Sequence, residues 1–261
     1  MPCHSKVPFP FLFKKWAEKT GLWTPCSHLR LKNRMTKNRV IRQTLRACCG
    51  AGCCGAHEAA LDQESCILVD DADRTVGAAS KRACHVVAPD GSIPLHRAFS
   101  LFLFNTRGEM LMQRRGKKKV TFPNVYTNAC CSHPLWMDGQ EESIINAVQR
   151  RLTHELGIPP EQMSPSDFTL LTRIHYHHTG DGRWGEHEMD YILFMQKDVY
   201  LEPNKDEIDE LVFVPRAGTI SKFDAPISPW FKLVLKHRLK FWWDNLHQLE
   251  HCKDDNIHKF T

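Results

Sequence analysis

Thiols, imidazoles and carboxylates recur in this chain at spacings that could do chemistry. In "TNACCSHPL", residues 127 to 135, two adjacent cysteines stand just ahead of a histidine. Side chains alternate along an extended strand, so Cys131 and His133 share one face while Cys130 points to the other. The stretch admits three readings: half of a zinc knuckle, a buried apolar run, or a reactive thiol beside a metal ligand. In "WGEHEMD", Glu186 and Glu188 also share a face, about 6 to 7 Å apart along the strand, and His187 points away. His85 in "SKRACH" and His96 in "PLHRAF" supply further imidazoles. With His133, Glu186 and Glu188 they compose a His₃Glu₂ set suited to Mg²⁺, Mn²⁺ or Zn²⁺ in near-octahedral coordination.

Cations form a second group. "QRRGKKKVTFP" places five basic side chains between Arg114 and Lys119. Such a loop is either solvated or a diphosphate clamp, since Arg and Lys make charge-assisted bonds to phosphate oxygens. Lys81 could join it. There is no GxxxxGK[ST], which excludes a P-loop. The cluster "ACCGAGCCG", residues 47 to 55, lacks the CxxC spacing and downstream pair of a zinc site and reads as a linker.

The elements that must position these groups follow from periodicity. "SCILVDD", "AFSLFLFN", "MLMQRR", "VYTNACCSH", "FTLLTRIHYHH", "EHEMDYILFMQ" and "ELVFV" read as strands. "TRGE" reads as a hairpin turn and "TGDGRWG" as a Gly-rich turn. Ile144, Ile145, Val148, Leu152 and Leu156 have helical spacing, closed by Gly157. One long amphipathic helix is expected from Pro229 to about Leu249. The sum predicts an α+β domain, a mixed β-sheet layered with helices, over residues 64–250.

Up to His57 there are eleven Lys/Arg and one acid, Glu18, although the whole chain is only +5. A basic arm (residues 1–63) on an acidic body argues against a nucleic-acid-binding domain. It reads as a disordered extension or a targeting leader. No apolar run approaches the roughly 20 residues that span a bilayer. Eleven cysteines without a secretory leader imply reduced thiols in an intracellular compartment.

"LHRAFSLFLFN", "KVTFP", "TNACCSHPL", "HELGI", "WGEHEMDYILF" and "SPWFKL", in that order, resemble the type I isopentenyl-diphosphate isomerases of the Nudix superfamily. The resemblance runs from about Glu64 to Asn245. It implies a Nudix-type fold and a 1,3-allylic proton shift interconverting isopentenyl and dimethylallyl diphosphate in isoprenoid and sterol biosynthesis. It implies Cys131 as the thiol acid on one face of the alkene, and Glu188, assisted by Tyr176, on the other. A divalent metal on His85, His96, His133, Glu186 and Glu188 would position the carboxylate. Mg²⁺ bridging the diphosphate would use Glu155. Lys81, Arg115 and Lys119 match the diphosphate contacts, and Trp230 matches the aromatic over the hydrocarbon. The partner is then a small isoprenoid diphosphate, with no nucleic acid, for a monomer in cytoplasm or peroxisome, or in an organelle if the basic arm directs import.

The hydrolytic Nudix box is incomplete. Glu142, Arg150, Leu152, Glu155, Gly157 and Ile158 fit it, but Trp136 replaces its glycine, and Arg151 and His154 replace two carboxylates. Fewer acids favour diphosphate binding over cleavage. A Nudix hydrolase of a diphosphate compound is the alternative, and a non-catalytic metal-binding scaffold is the reading of another class.

Overall fold

The computed structural model describes residues 42–44, 54–216, 220 and 225–260. The elements in chain order are β1 (Arg42–Thr44), α1 (Cys54–Gln63), β2 (Ser65–Val69), β3 (Thr75–Ser80), α2 (Lys81–His85), β4 (His96–Phe104), β5 (Met110–Arg115), β6 (Tyr126–Thr127), β7 (Cys130–Ser132), β8 (Trp136–Met137), β9 (Gln140–Glu141), α3 (Ile144–Leu156), β10 (Thr169–His178), β11 (Glu186–Gln196), β12 (Ile208–Val214), a C-terminal helix α4 (229–244) and β13 (Ile257–Phe260). The main sheet runs β1-β12-β5-β4-β11-β10-β13, with β2, β6 and β7 attached along β4 and β5. It is mixed: β4 runs parallel to β11 and β10 parallel to β13, while the remaining pairs are antiparallel.

Each sheet face is covered by helix, which explains the continuous apolar run of β4. Phe102, Phe104, Ile174, Ile192 and Phe194 meet Trp230, Phe231, Val234, Leu239, Trp242 and Trp243 of α4. On the other face Phe99, Leu101, Leu103 and Leu193 meet Ala147, Val148, Leu152 and Leu156 of α3. The apolar period of α3 is therefore the seam of one core layer. Its start is capped by Ser143, whose Oγ accepts from the Asn146 amide at 3.2 Å. Gly157 ends it with φ 64°, where a Cβ would lie 2.2 Å from the Glu202 carbonyl oxygen.

Three expectations change. The C-terminal helix stops at Asp244, because Asn245 leaves helical geometry at φ −113°, ψ 24°, and a 3₁₀ segment follows. Within it, Leu235–Leu239 form a wide π turn. The packed body also reaches past 64–250 on both sides. In α1, Leu61 is buried and Glu58 and Asp62 bind Arg82 of α2 at 2.7–2.9 Å. At the other end β13 pairs with β10 from Arg173 to Tyr176. Apart from 42–44 and 54–63, the basic arm lies outside the described residues, as does most of the cysteine cluster. Among the described residues no helix is long and apolar enough to cross a membrane.

Candidate active site

Strand register brings the site together. Glu188 of β11 sits between His96 of β4 and Tyr176 of β10, its direct partners on either side. The Tyr176 hydroxyl donates to Glu188 Oε2 at 2.5 Å. His85 ends the short helix α2, whose N-cap Ser80 accepts from the Ala83 amide. The Gly185 amide donates to the His85 carbonyl at 2.9 Å, which sets α2 beside the start of β11. His133 follows β7 on a loop braced by Arg150, which bonds both Glu142 oxygens at 2.7 and 2.8 Å and the His133 carbonyl at 3.2 Å. Trp136, the departure from the box, opens a tight β8–β9 hairpin with Asp138 and Gly139 both at positive φ.

His85, His96, His133 and Glu188 each offer a ligand atom, all within 4.8 Å of one another and all buried. Nδ1–H of His85 donates to the Lys81 carbonyl at 2.7 Å, and Nδ1–H of His96 to the Pro94 carbonyl at 2.9 Å. Those bonds fix the tautomers and direct both Nε2 lone pairs inward, the usual outer-shell arrangement of metal-binding histidines. Nε2 of His96 is buried and has no hydrogen-bond partner. His133 Nε2 lies 2.9 Å from Glu188 Oε1. Glu186 adjoins the group through His85, at 3.9 Å. The donor set fits a divalent cation. Burial keeps the imidazoles neutral, holding His96 down at about 4 and His85 and His133 well below their usual range. Burial also lifts Glu188 to about 7 and Glu186 well above the carboxylate range.

The thiol stands on the same sheet face. Cys131 pairs in register with Ser100 of β4, while Cys130 is buried on the α3 side. The Cys131 S–H donates to Asn128 Oδ1 at 3.0 Å, and the Trp230 indole N–H donates to Cys131 Sγ at 3.1 Å. Ser100 Oγ lies 3.4 Å from Cys131 Sγ and donates to Asp190 Oδ2 at 2.8 Å. Burial pushes the Cys131 thiol up to about 12, so it is held protonated. Ser100 thus stands between Cys131 and Asp190, one strand repeat from Glu188.

The cations divide. Lys81 bonds Glu64 at 2.8 Å, and both Lys81 and Arg115 lie near enough to Glu186 to favour its ionised form. Arg115 donates to the Phe122 and Thr121 carbonyls at 3.0 and 2.9 Å and stands 5.5 Å over the Trp230 ring. Lys119 belongs to a separate buried network, paired with Glu207 and 3.7 Å from Glu155. Glu155 also binds Arg151 and accepts from Gln113 Nε2 at 3.1 Å. Burial would raise Glu155, but Lys119 and Arg151 outweigh it and hold the carboxyl at about 2. Between the Lys119 loop and the 180–184 turn lies an open cavity of about 270 Å³ lined by Phe122, Pro123 and Trp184.

Sequence reasoning missed Ser100, Asn128, Asp190 and Glu207. Asp190 had a signal, being the third acid of the alternating series begun by Glu186 and Glu188. The other three had none, because their roles depend on register and long-range contact.

Residues 94–231 match the NUDIX domain. The chain is 46% identical over 197 residues to an isopentenyl-diphosphate delta-isomerase of Gibberella zeae, covering 71% of this chain and 78% of that one. It is 43% identical over 208 residues to isopentenyl-diphosphate delta-isomerase 1 of Mesocricetus auratus, covering 75% and 92%. To a chloroplastic isopentenyl-diphosphate delta-isomerase of Arabidopsis thaliana it is 46% identical over 198 residues, covering 70% and 68%.

Proposed function

We propose the chemistry below from one premise: the chain belongs to the isopentenyl-diphosphate delta-isomerases, a family built on the Nudix domain. It is an isomerase that interconverts isopentenyl and dimethylallyl diphosphate, moving a proton across an allylic unit. An unactivated alkene is a weak base, so protonating C4 raises a tertiary carbocation at C3. Cys131 supplies that proton from a half-buried, hydrogen-bonded S–H. A desolvated aromatic face favours a cation by about 2 kcal/mol. Trp230, whose indole N–H reaches the Cys131 sulfur, is the aromatic assigned to that role. Glu188, buried on the sheet face that also carries Cys131, removes the proton from C2. Tyr176 holds the carboxylate by its hydroxyl. The buried setting excludes water that would hydrate the cation.

A divalent cation held by His85, His96, His133 and Glu188, with Glu186 adjoining, would orient the Glu188 carboxylate and favour its ionised form. Lys81, Arg115 and Lys119 are assigned to the diphosphate. Glu155, bonded by Arg151 and Gln113 with Lys119 nearby, would hold a Mg²⁺ that neutralises diphosphate charge. That Arg151 guanidinium, standing in a carboxylate position of the hydrolytic box, supports isomerisation over hydrolysis. The protein is proposed to act as a monomer in cytoplasm or peroxisome. The chloroplastic names of some relatives make a plastid the other destination to test.

The observation that carries this reading is a thiol bonded by the Trp230 indole and a buried, tyrosine-bonded carboxylate on the same sheet face. NMR with isopentenyl diphosphate in D₂O tests it. The expected result is deuterium uptake with formation of the allyl isomer, abolished by chelation and, with substrate still bound, by Cys131→Ala or Glu188→Gln. Phosphate release without any allyl isomer would sink it.

A further inference from the structure

Asn128 is wholly buried beside the thiol. Its Nδ2 lies 3.0 Å from the Leu101 carbonyl oxygen and 3.1 Å from that of Cys130. Carbonyl oxygens only accept, so the donor end of the amide must face them, and Oδ1 must face the site. Three donors converge on that oxygen: Thr127 Oγ1 at 2.8 Å, Cys131 Sγ at 3.0 Å and Trp230 Nε1 at 3.2 Å. An indole N–H can only donate, and it is shared here between Oδ1 and the Cys131 sulfur, 3.1 Å away. Thr127 Oγ1 accepts in turn from Ser228 Oγ at 2.9 Å, at the residue preceding α4.

Resting on the reading of Cys131 as proton donor, we propose that Asn128 is a positioning residue whose single side-chain oxygen locks the acid and the cation-stabilising ring into one geometry. Thiol and indole come from distant segments, β7 and α4. Each has rotational freedom of its own: the S–H turns about Cβ–Sγ and the indole about its side-chain torsions. A common acceptor removes both freedoms at once. Because the amide is anchored to β4 through Leu101 and to β7 through Cys130, the lock is referred to the sheet that also carries Glu188. Asn128 touches none of the diphosphate cations, so its contribution belongs to the proton-transfer step. Misplacement by about 1 Å at a reacting centre costs roughly 100-fold in rate.

The test uses the full chain, with two spectroscopic readouts besides kinetics. The Cys131 S–H infrared band is identified as the one lost in Cys131→Ala, and the Trp230 indole N–H resonance as the one lost in Trp230→Phe. In the wild type the S–H band is expected below the position of a free thiol, with the indole proton slow to exchange. In Asn128→Ala both are expected to move to their free positions, with kcat down roughly 100-fold and KM unchanged. A wild-type S–H band already at the free position overturns the inference without any variant having to fold. So does a folded Asn128→Ala with wild-type kcat. If the wild type makes no allyl isomer, the function of Cys131 is what fails, and the two spectra still decide whether the lock exists.

Discussion

Tyr176→Phe isolates one hydrogen bond at the reacting carboxylate. The hydroxyl donates to Glu188 Oε2 at 2.5 Å in a fully buried setting, while His133 Nε2 keeps the other oxygen at 2.9 Å. A hydrogen bond to a charged group is worth about 1.5–3 kcal/mol. Taking about 2 kcal/mol, and assuming it acts on the proton-transfer step, kcat should fall about 30-fold. KM should hold, because none of the bonds to Lys81, Arg115 or Lys119 involves this hydroxyl. The pH profile carries a second signature. Burial lifts Glu188 to about 7, and the Tyr176 bond acts to lower it. Removing that bond raises the pKa further, and a base must be ionised to act, so the acid limb of kcat should move to higher pH. Isomer formation followed by NMR across pH measures both. A Tyr176→Phe enzyme with wild-type kcat and an unmoved acid limb would refute the reasoning.

Lys119→Ala should weaken substrate binding roughly tenfold by calorimetry, the loss of about 1.4 kcal/mol. Unchanged affinity would remove Lys119 from the clamp. Gly157→Ala should destabilise the fold by about 1–3 kcal/mol from its positive φ alone, with the approach to Glu202 adding to that; denaturant unfolding with a wild-type midpoint would contradict it. Glu155 sits at about 2 in the fold, below its unfolded value near 4.5, so it contributes stability above that unfolded value. The contribution, about 3 kcal/mol at most, is lost as pH falls from about 4.5 towards 2. Acid unfolding of Glu155→Gln should lack that component, and identical acid curves would deny it.

The strands and α3 were legible because their periods of two and 3.6 are local properties. The same holds for Cys131 against Cys130, since alternation on β7 alone sends one to each sheet face. The imidazole cluster was legible as composition but not as geometry: His96 meets Glu188 only through the parallel pairing of β4 with β11. Asn128 reads locally as one polar residue of an extended segment, and its function appears only once Trp230, about a hundred residues later, closes over it. The strand β13 and the helix α1 were missed for a related reason. Neither carries a strong apolar period of its own, and each packs on distant residues: α1 through Arg82, β13 through β10. The basic loop was legible by its density but its partners were not: Lys118 and Lys119 are bound to Asp206 and Glu207, carboxylates far along the chain.

The π turn at Leu235–Leu239 carries a consequence for the register of the whole C-terminal segment. An α-helix advances about 100° per residue, and a π turn absorbs one extra residue without advancing the face. That dephasing is what lets Trp230, Phe231 and Val234 before it, and Leu239, Trp242 and Trp243 after it, face the same sheet. Inserting a second extra residue there would leave composition and helical propensity nearly intact, yet swing both distal tryptophans about 100° away from Phe194 and Phe104. The segment would then behave as a cap fastened at one end only.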